Sequence, residues 1–403
     1  NVGFYYYFQA IDTSGTIISL PKKQLVLHYD VDYPAIPNLR FGETVNQYQI
    51  ISVPLRLQNT NAEAVFDELD EYDVKYWRLF HYNDGTTNEY KKGFTNIDPG
   101  LGYWLIVREP TNITTGEGRT VAVDSVTGFQ IDLNPGWNQI GNPYDMDINW
   151  DAVIIDNQNL NIGRVKLFNS DSLSEGRIIP RYRGGFVFLE GVQPVTVNVK
   201  PEIVRNARIH HHINSEQRNA LSENSWIAGL KVSNGTVSHN LSGIGMRPEA
   251  IVGKDRGDEA LLPARKEIIP VELAFNHPEE KYNKFSIDVI QTTDKYIWDF
   301  EVKSFSKAQT LTISWDNRHF GDNEFNLILN HKGIEKLVDM KEVKSYTFNA
   351  SGNDQFRIIF GDDSFVDDEL KPEVLTLGQG YPNPFGHELN IPFTLPDSRP
   401  NYH

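Results

Sequence analysis

Three short phrases recur in the same order and at nearly the same spacing between residues 46 and 190, and this duplication limits the fold more than any other feature. The first copy reads Asn46-Gln47-Tyr48-Gln49-Ile50-Ile51-Ser52-Val53-Pro54, then Trp77-Arg78-Leu79-Phe80, then Gly102-Tyr103-Trp104-Leu105-Ile106-Val107. The second reads Trp137-Asn138-Gln139-Ile140-Gly141-Asn142-Pro143, then Val165-Lys166-Leu167-Phe168, then Gly185-Phe186-Val187-Phe188-Leu189. Phe80 follows Pro54 by 26 residues and Phe168 follows Pro143 by 25. Such regularity means one β-unit used twice, the copies packing together because neither buries its apolar face alone. Aligned on these phrases, Pro54 matches Pro143, Phe80 matches Phe168 and Tyr103 matches Phe186. Thr60-Asn61-Ala62-Glu63 is a capping box that opens a short helix over 62–69, and Asn149-Trp150-Asp151-Ala152-Val153 is its counterpart.

The rest of the chain alternates strand and turn signals. Phe4 to Ala10, a turn at Asp12-Thr13-Ser14-Gly15, and Thr16 to Leu20 make a hairpin. Prolines at 21, 34 and 37 mark 21–45 as a linker. Eight strands are expected at 226–232, 271–275, 285–289, 298–302, 310–315, 325–329, 345–348 and 356–360. The fold class is therefore all-β: tandem β-sandwich or jelly-roll-like domains with an internally duplicated β-unit and less than about 10% helix. The expected divisions are 1–25, the last hairpin of an immunoglobulin-like or fibronectin type III-like module; 46–200, the duplicated domain; 201–362, a β-sandwich; 363–374, an acidic linker; and 375–403, the start of a terminal domain.

Charge and cysteine content exclude whole classes of function. A formal net charge of −16 repels nucleic acid and anionic lipid. The absence of cysteine removes disulfides, thiolate metal sites and cysteine nucleophiles. No apolar run is long enough for a membrane span. The chain opens mid-pattern at Asn1-Val2-Gly3-Phe4-Tyr5, which reads as a fragment of a longer protein.

Near the C-terminus stands Leu375-Thr376-Leu377-Gly378-Gln379-Gly380-Tyr381-Pro382-Asn383-Pro384-Phe385, followed by Leu389-Asn390-Ile391-Pro392-Phe393-Thr394-Leu395-Pro396. Two prolines around Asn383 favour an extended, non-helical entry, and Tyr381 and Phe385 can anchor it. The segment resembles the opening of the C-terminal sorting domains carried by type IX secretion substrates of Bacteroidetes and their relatives. Tyr381 to Phe385 fits the family's phrase fully, while Gly380 and Gly386-His387-Glu388 depart from it. The resemblance implies export to the cell surface or medium, with the type IX translocon and outer-membrane shuttle proteins as partners. It also makes the Asp-Ser-apolar triplets at Ser125 and Ser172 candidates for O-glycosylation.

The remaining candidates are few. Asp255, Asp258 and Glu259 surround Gly257, an oxygen-rich turn of the kind that binds Ca²⁺; otherwise no cofactor is expected. The same turn spells Arg256-Gly257-Asp258, a chance match to an adhesion tripeptide. His210-His211-His212 is either an exposed polar stretch or a metal-binding pair on one strand face. Trp77, Tyr103, Trp104 and Trp137 are either core or a sugar-stacking platform. There is no nucleophile elbow, zinc-protease helix, phosphate loop or dinucleotide fingerprint. Two functions remain: a non-catalytic structural, adhesive or binding part of a large surface protein, with glycans or other surface proteins as ligands, or the accessory tail of a secreted peptidase or glycoside hydrolase.

Overall fold

Short apolar alternation does become strand: the chain is about 48% strand and 8% helix, and all-β. The computed structural model describes residues 4–6, 9–11, 17–19, 23–25, 30–32, 35–121, 128–201, 225–251, 253–255, 257–263, 266–306, 309–316, 324–334, 336–371, 376–377, 387–389, 391 and 393–394. Two units are present, 1–210 with 263–268, and 211–262 with 269–403.

In the first unit the duplication is explicit in the strand order. Gln49–Ile51, Tyr103–Val107, Trp77–Asn83 and Thr86–Glu89 lie side by side in that order, and Gly136–Gly141, Gly184–Leu189, Val165–Phe168 and Leu173–Gly176 repeat it. Each sheet has a short helix on one face, Ala62–Val65 or Trp150–Asp156, capped by Asn61 or Asn149. Asn61 therefore takes the cap expected of Thr60, and the 62–69 helix divides into an α-turn and the 3₁₀ segment Asp67–Leu69. Each copy has its own core. Val53, Phe66, Trp77 and Leu105 fill the first, and Ile140, Trp150, Val165 and Val187 the second.

The other faces of the two sheets meet across a pseudo-two-fold. Leu101 bridges Ile140, and Arg183 bridges Ile51. Gly141 N–H donates to Gly100 O at 2.8 Å, and Ser52 N–H to Tyr182 O at 3.1 Å. Tyr82 packs on Phe186 at 5.7 Å, and Phe168 on Trp104 at 5.0 Å. These reciprocal contacts keep Pro54 and Pro143 equivalent but correct the other two matches. Phe186 corresponds to Trp104, not Tyr103, and Phe168 corresponds to Tyr82, not Phe80. The ion pairs agree: Arg78–Glu89 at 2.8 Å repeats as Arg164–Glu175 at 2.6 Å.

The proposed linker at 21–45 also contributes to the first copy. Asp30–Asp32 pairs with Glu117–Thr120, which also pairs with Leu55–Leu57. Ile36 is buried in the core, and Arg183 donates to Pro37 O (2.7 Å) and Asn38 O (2.8 Å). Of the terminal hairpin, Gln9–Ile11 pairs with Ile17–Ser19, and Phe4–Tyr6 pairs with Lys23–Leu25.

The second unit is one eleven-stranded sheet, among the described residues, that turns back on itself. Its path runs through 336–339, 326–331, 353–361, 296–304, 271–276, 284–291, 238–247, 226–233, 310–316 and 345–349, with 259–260 set against 284–291. Trp226 meets Trp298 at 5.9 Å and Phe360 at 5.7 Å, so the two halves of the path face each other as a sandwich. His331 meets Phe348 at 5.0 Å, bringing the path's ends together. All eight expected strands are present, with 238–247, 259–260 and 336–339 in addition. The acidic linker is the clear correction. Asp363–Leu370 is a helix capped by Asp362, with Val366 buried and Glu369 paired to Arg357 at 3.3 Å.

A Cβ on Gly141 would lie 2.1 Å from Leu101 O. Gly141→Ala should therefore destabilise the first unit by about 3 kcal/mol through overpacking. Gly229→Ala, with no atom within 4 Å of the added Cβ, should change stability by no more than about 0.5 kcal/mol. Urea unfolding of both variants checks the contrast.

Candidate functional site

An open cleft of about 870 Å³ lies on the first copy, walled by residues 68–77 and by 107, 109 and 111. Its floor is aromatic. Tyr72 stands edge-on to Trp77 at 4.8 Å and to Tyr90 at 5.1 Å. Tyr72 Oη donates to Glu89 Oε1 at 3.0 Å, and its backbone N–H donates to Glu63 Oε1 at 2.6 Å. The walls are tied by Glu68, whose Oε1 accepts from Thr114 N at 2.9 Å and Thr114 Oγ1 at 2.6 Å. The wall from 69 turns sharply at Asp70, where φ is +57° and ψ −168°, a backbone region that favours glycine.

Behind Tyr72 lies a charge network centred on the buried Glu89. Burial alone would raise the Glu89 pKa, but hydrogen bonds from Arg78, Lys92 and Tyr72 outweigh it and hold it down at about 2. Burial and the Glu89 carboxylate together push the Tyr72 phenol up. These groups are paired with one another, so the network positions the cleft wall and offers no free base. The lining of the cleft is different. Glu68, Asp70, Glu71, Asp73 and Glu109 contribute five carboxylates, of which Glu109 pairs with Arg108 at 3.5 Å, Glu68 is held by Thr114 and Asp73 Oδ1 accepts from Lys75 N at 2.9 Å. Among the described residues Asp70, Glu71 and Asp73 form no ion pair within 4.0 Å. Val74 and Tyr76 stand on the rim, 52% and 56% exposed. The arrangement offers shape, charge and an aromatic ring for binding.

The expected sites fall as follows. Asp255, Asp258 and Glu259 lie together beside the strand Lys284–Gln291. Asp258 is buried, and its oxygens accept from Asp255 N at 2.8 Å and Val289 N at 2.7 Å. Asp255 accepts from Ile251 N at 2.9 Å and from Gly257 N. Asp255 and Asp258 thus hold the turn through backbone N–H groups, and among the described residues no cluster of three or more His, Asp or Glu is arranged to hold a metal. Of the Arg-Gly-Asp tripeptide, Arg256 lies outside the described residues and the Asp258 carboxylate is turned inward. Ser172 sits at the tip of the 165–176 hairpin, donating to Asp171 Oδ1 at 3.0 Å. Ser125, His210 to His212 and the Tyr381–Phe385 phrase lie outside the described residues. Trp77, Tyr103, Trp104 and Trp137 are all buried, so they are core and not a sugar platform.

One serine–histidine contact and one serine–aspartate–histidine grouping were not anticipated from the sequence. Ser242 Oγ lies 3.0 Å from His239 Nδ1, both buried on one strand, and burial pushes the His239 pKa down to about 4. Ser351 Oγ donates to Asp354 Oδ1 at 2.8 Å, while His331 lies 3.5 Å from that same oxygen. The serine therefore engages the carboxylate and not the imidazole, which is not a nucleophile–base arrangement. The cleft itself was missed because Asp70-Glu71-Tyr72-Asp73 reads as a solvated turn. Comparison with known proteins finds no family model, no curated protein and no solved structure that matches the chain significantly.

Burial, reinforced by the charges of Asp288 and Asp255, pushes the Asp258 pKa up to about 7 against the opposing backbone hydrogen bonds. A folded-state pKa above the unfolded value makes ionisation costly in the native state. Relative to Asp258→Asn, the wild type should therefore lose stability as pH rises from about 4 through about 7. Melting temperatures of both proteins across pH 4–8 check this; a constant difference would refute it.

Proposed function

We propose that this chain is a non-catalytic binding or scaffolding part of a large protein exported by the type IX route, with the segment from Leu375 onward as its address. The observation that carries this reading is the phrase Tyr381-Pro382-Asn383-Pro384-Phe385. Three properties support it. The chain is all-β and cysteine-free, as suits cargo that is stable outside the cell without disulfides. Its net charge of −16 favours solubility. No helix among the described residues is long and apolar enough to cross a membrane. In this reading the first and second units act at the cell surface by binding, and Ser125 and Ser172 are glycosylation sites of the exported form.

Deleting everything from Leu375 onward in the native host should retain the protein inside the cell, measured by fractionation of cells and medium. Equal export of the truncated and intact proteins would overturn the assignment. Hydrolase activity of the purified chain against peptide or glycan substrates would separately overturn the non-catalytic reading.

A further inference from the structure

Five arginines among the described residues of the first unit are half-buried: Arg40, Arg78, Arg164, Arg177 and Arg183. Three of them meet a carboxylate, Arg78 with Glu89 at 2.8 Å, Arg164 with Glu175 at 2.6 Å and Arg177 with Asp151 at 3.6 Å. Arg40 and Arg183 form no ion pair among the described residues and meet backbone carbonyls instead. Arg40 Nη2 donates to Tyr48 O, and Arg183 Nη2 donates to Pro37 O at 2.7 Å and to Asn38 O at 2.8 Å. Arg183 Nη1 reaches Tyr182 O at 3.4 Å. Carbonyl oxygens satisfy N–H groups but supply no countercharge. Arg40 Nε is enclosed and has no acceptor at all.

The two guanidiniums bracket one short segment. Arg183 holds the carbonyls of residues 37 and 38, and Arg40 follows two residues later. Each lies in the other's field. Burial, together with the Arg40 charge, pushes the Arg183 pKa down to about 10, so both stay charged at neutral pH. The backbone crossing itself does not demand an arginine. Arg183 bridges Ile51, and at the equivalent crossing Leu101 bridges Ile140. Like charges held side by side away from water cost free energy that a shared anion removes. The class of anion follows from the donors. A guanidinium is a planar fork matched to oxyanions. Two forks on separate side chains reach a ligand from two directions, which suits a tetrahedral dianion better than a flat carboxylate with one charge. A long polyanion would meet the repulsion of a chain with net charge −16, so the ligand is compact.

We propose that Arg40 and Arg183 form a binding site for a compact tetrahedral oxyanion, phosphate or sulfate, either free or as a monoester. The anion neutralises both guanidiniums and ties residues 37–40 more firmly to the first unit. This site is independent of the export route and of the terminal segment.

The test titrates sodium phosphate into the full chain by isothermal calorimetry near neutral pH, with ionic strength held constant by sodium chloride so that screening does not change. The expected result is one-to-one binding with a dissociation constant on the order of 1 mM or tighter. Acetate should bind at least tenfold more weakly. Arg40→Gln and Arg183→Leu should each weaken phosphate binding at least tenfold. Leucine at 183 copies the residue of the equivalent crossing, and circular dichroism melts confirm that each variant is folded. Arg40→Lys and Arg183→Lys keep the charge, lose the fork and should weaken binding severalfold; they serve where the larger changes do not fold. Arg56→Gln removes the same charge from an exposed site elsewhere in the first unit and should bind as the wild type does. In the wild type, the arginine Nε–H resonances that shift with phosphate should be those missing from the Arg40 and Arg183 variants. Glucose 6-phosphate separates the two sources: binding at least as tight as phosphate assigns a monoester, and binding tenfold weaker assigns the free ion. No saturable binding at tens of millimolar phosphate, equal binding of acetate, wild-type affinity in a folded Arg40→Gln or Arg183→Leu, or an equal loss in Arg56→Gln would overturn the proposal.

Discussion

The first unit depends on a close approach of two backbones. Gly141 lies against Leu101 so tightly that no other residue fits, and Gly102 and Gly184 crowd Ile140 O, where an added Cβ would sit 2.4 Å away. This contact lets the outer faces of the two sheets interlock through Tyr82, Trp104, Phe168 and Phe186. The two crossings are not identical. Tyr182 packs into the first core, whereas its counterpart Gly100 leaves room that the Phe129 ring fills. Both residues take positive φ, +59° and +86°, so the backbone path is shared while the side chains have diverged. Arg183, next to Tyr182, then fixes the entry segment through Pro37 and Asn38.

The repeat was legible in the sequence and its register was not. Matching Tyr103 to Phe186 follows size and hydrophobicity, but a strand alternates faces, so that one-residue shift changes what a residue touches; matching Phe80 to Phe168 is off by two residues and keeps the face but not the neighbours. The first copy places Trp104 opposite Phe80, and the second places Phe186 opposite Lys166. Large apolar residues occupy both faces of these sheets, so hydrophobicity alone does not mark the inner one. The conserved geometry is polar: Arg78 with Glu89, and Arg164 with Glu175. Only the strand pairing reveals that correspondence.

Elsewhere the unread elements share a cause. Ser238–Arg247 lacks the bulky alternation of its neighbours because it runs between two strands at close quarters. Gly245 there meets Trp226 O, 2.5 Å from where a Cβ would stand. Asp363–Leu370 has the composition of a solvated linker, yet the Asp362 cap, an acidic first turn and the buried Val366 suffice to fix a helix against its sheet. Composition describes what a segment prefers when alone, and both segments are decided by what they pack against.

The carboxylates show the same dependence on partners. Glu89 and Asp258 are almost equally hidden from solvent, 7% and 8% exposed, but Asp258 lies deeper among protein atoms, so depth and partners both separate them. Glu89 receives hydrogen bonds from two cations and a phenol and stays ionised down to about pH 2. Asp258 receives two backbone N–H groups but faces the like charges of Asp288 and Asp255, and it gives up its proton only near pH 7. Two N–H donors offset part of the loss of water but supply no countercharge. Glu89 therefore keeps a fixed charge beneath the cleft wall across the neutral range, holding Tyr72 in place through a hydrogen bond that does not titrate there. The carboxylates above at Asp70 and Glu71 stand exposed to solvent. The division of labour follows from partners supplied by the fold, and not from the acidity of the residues.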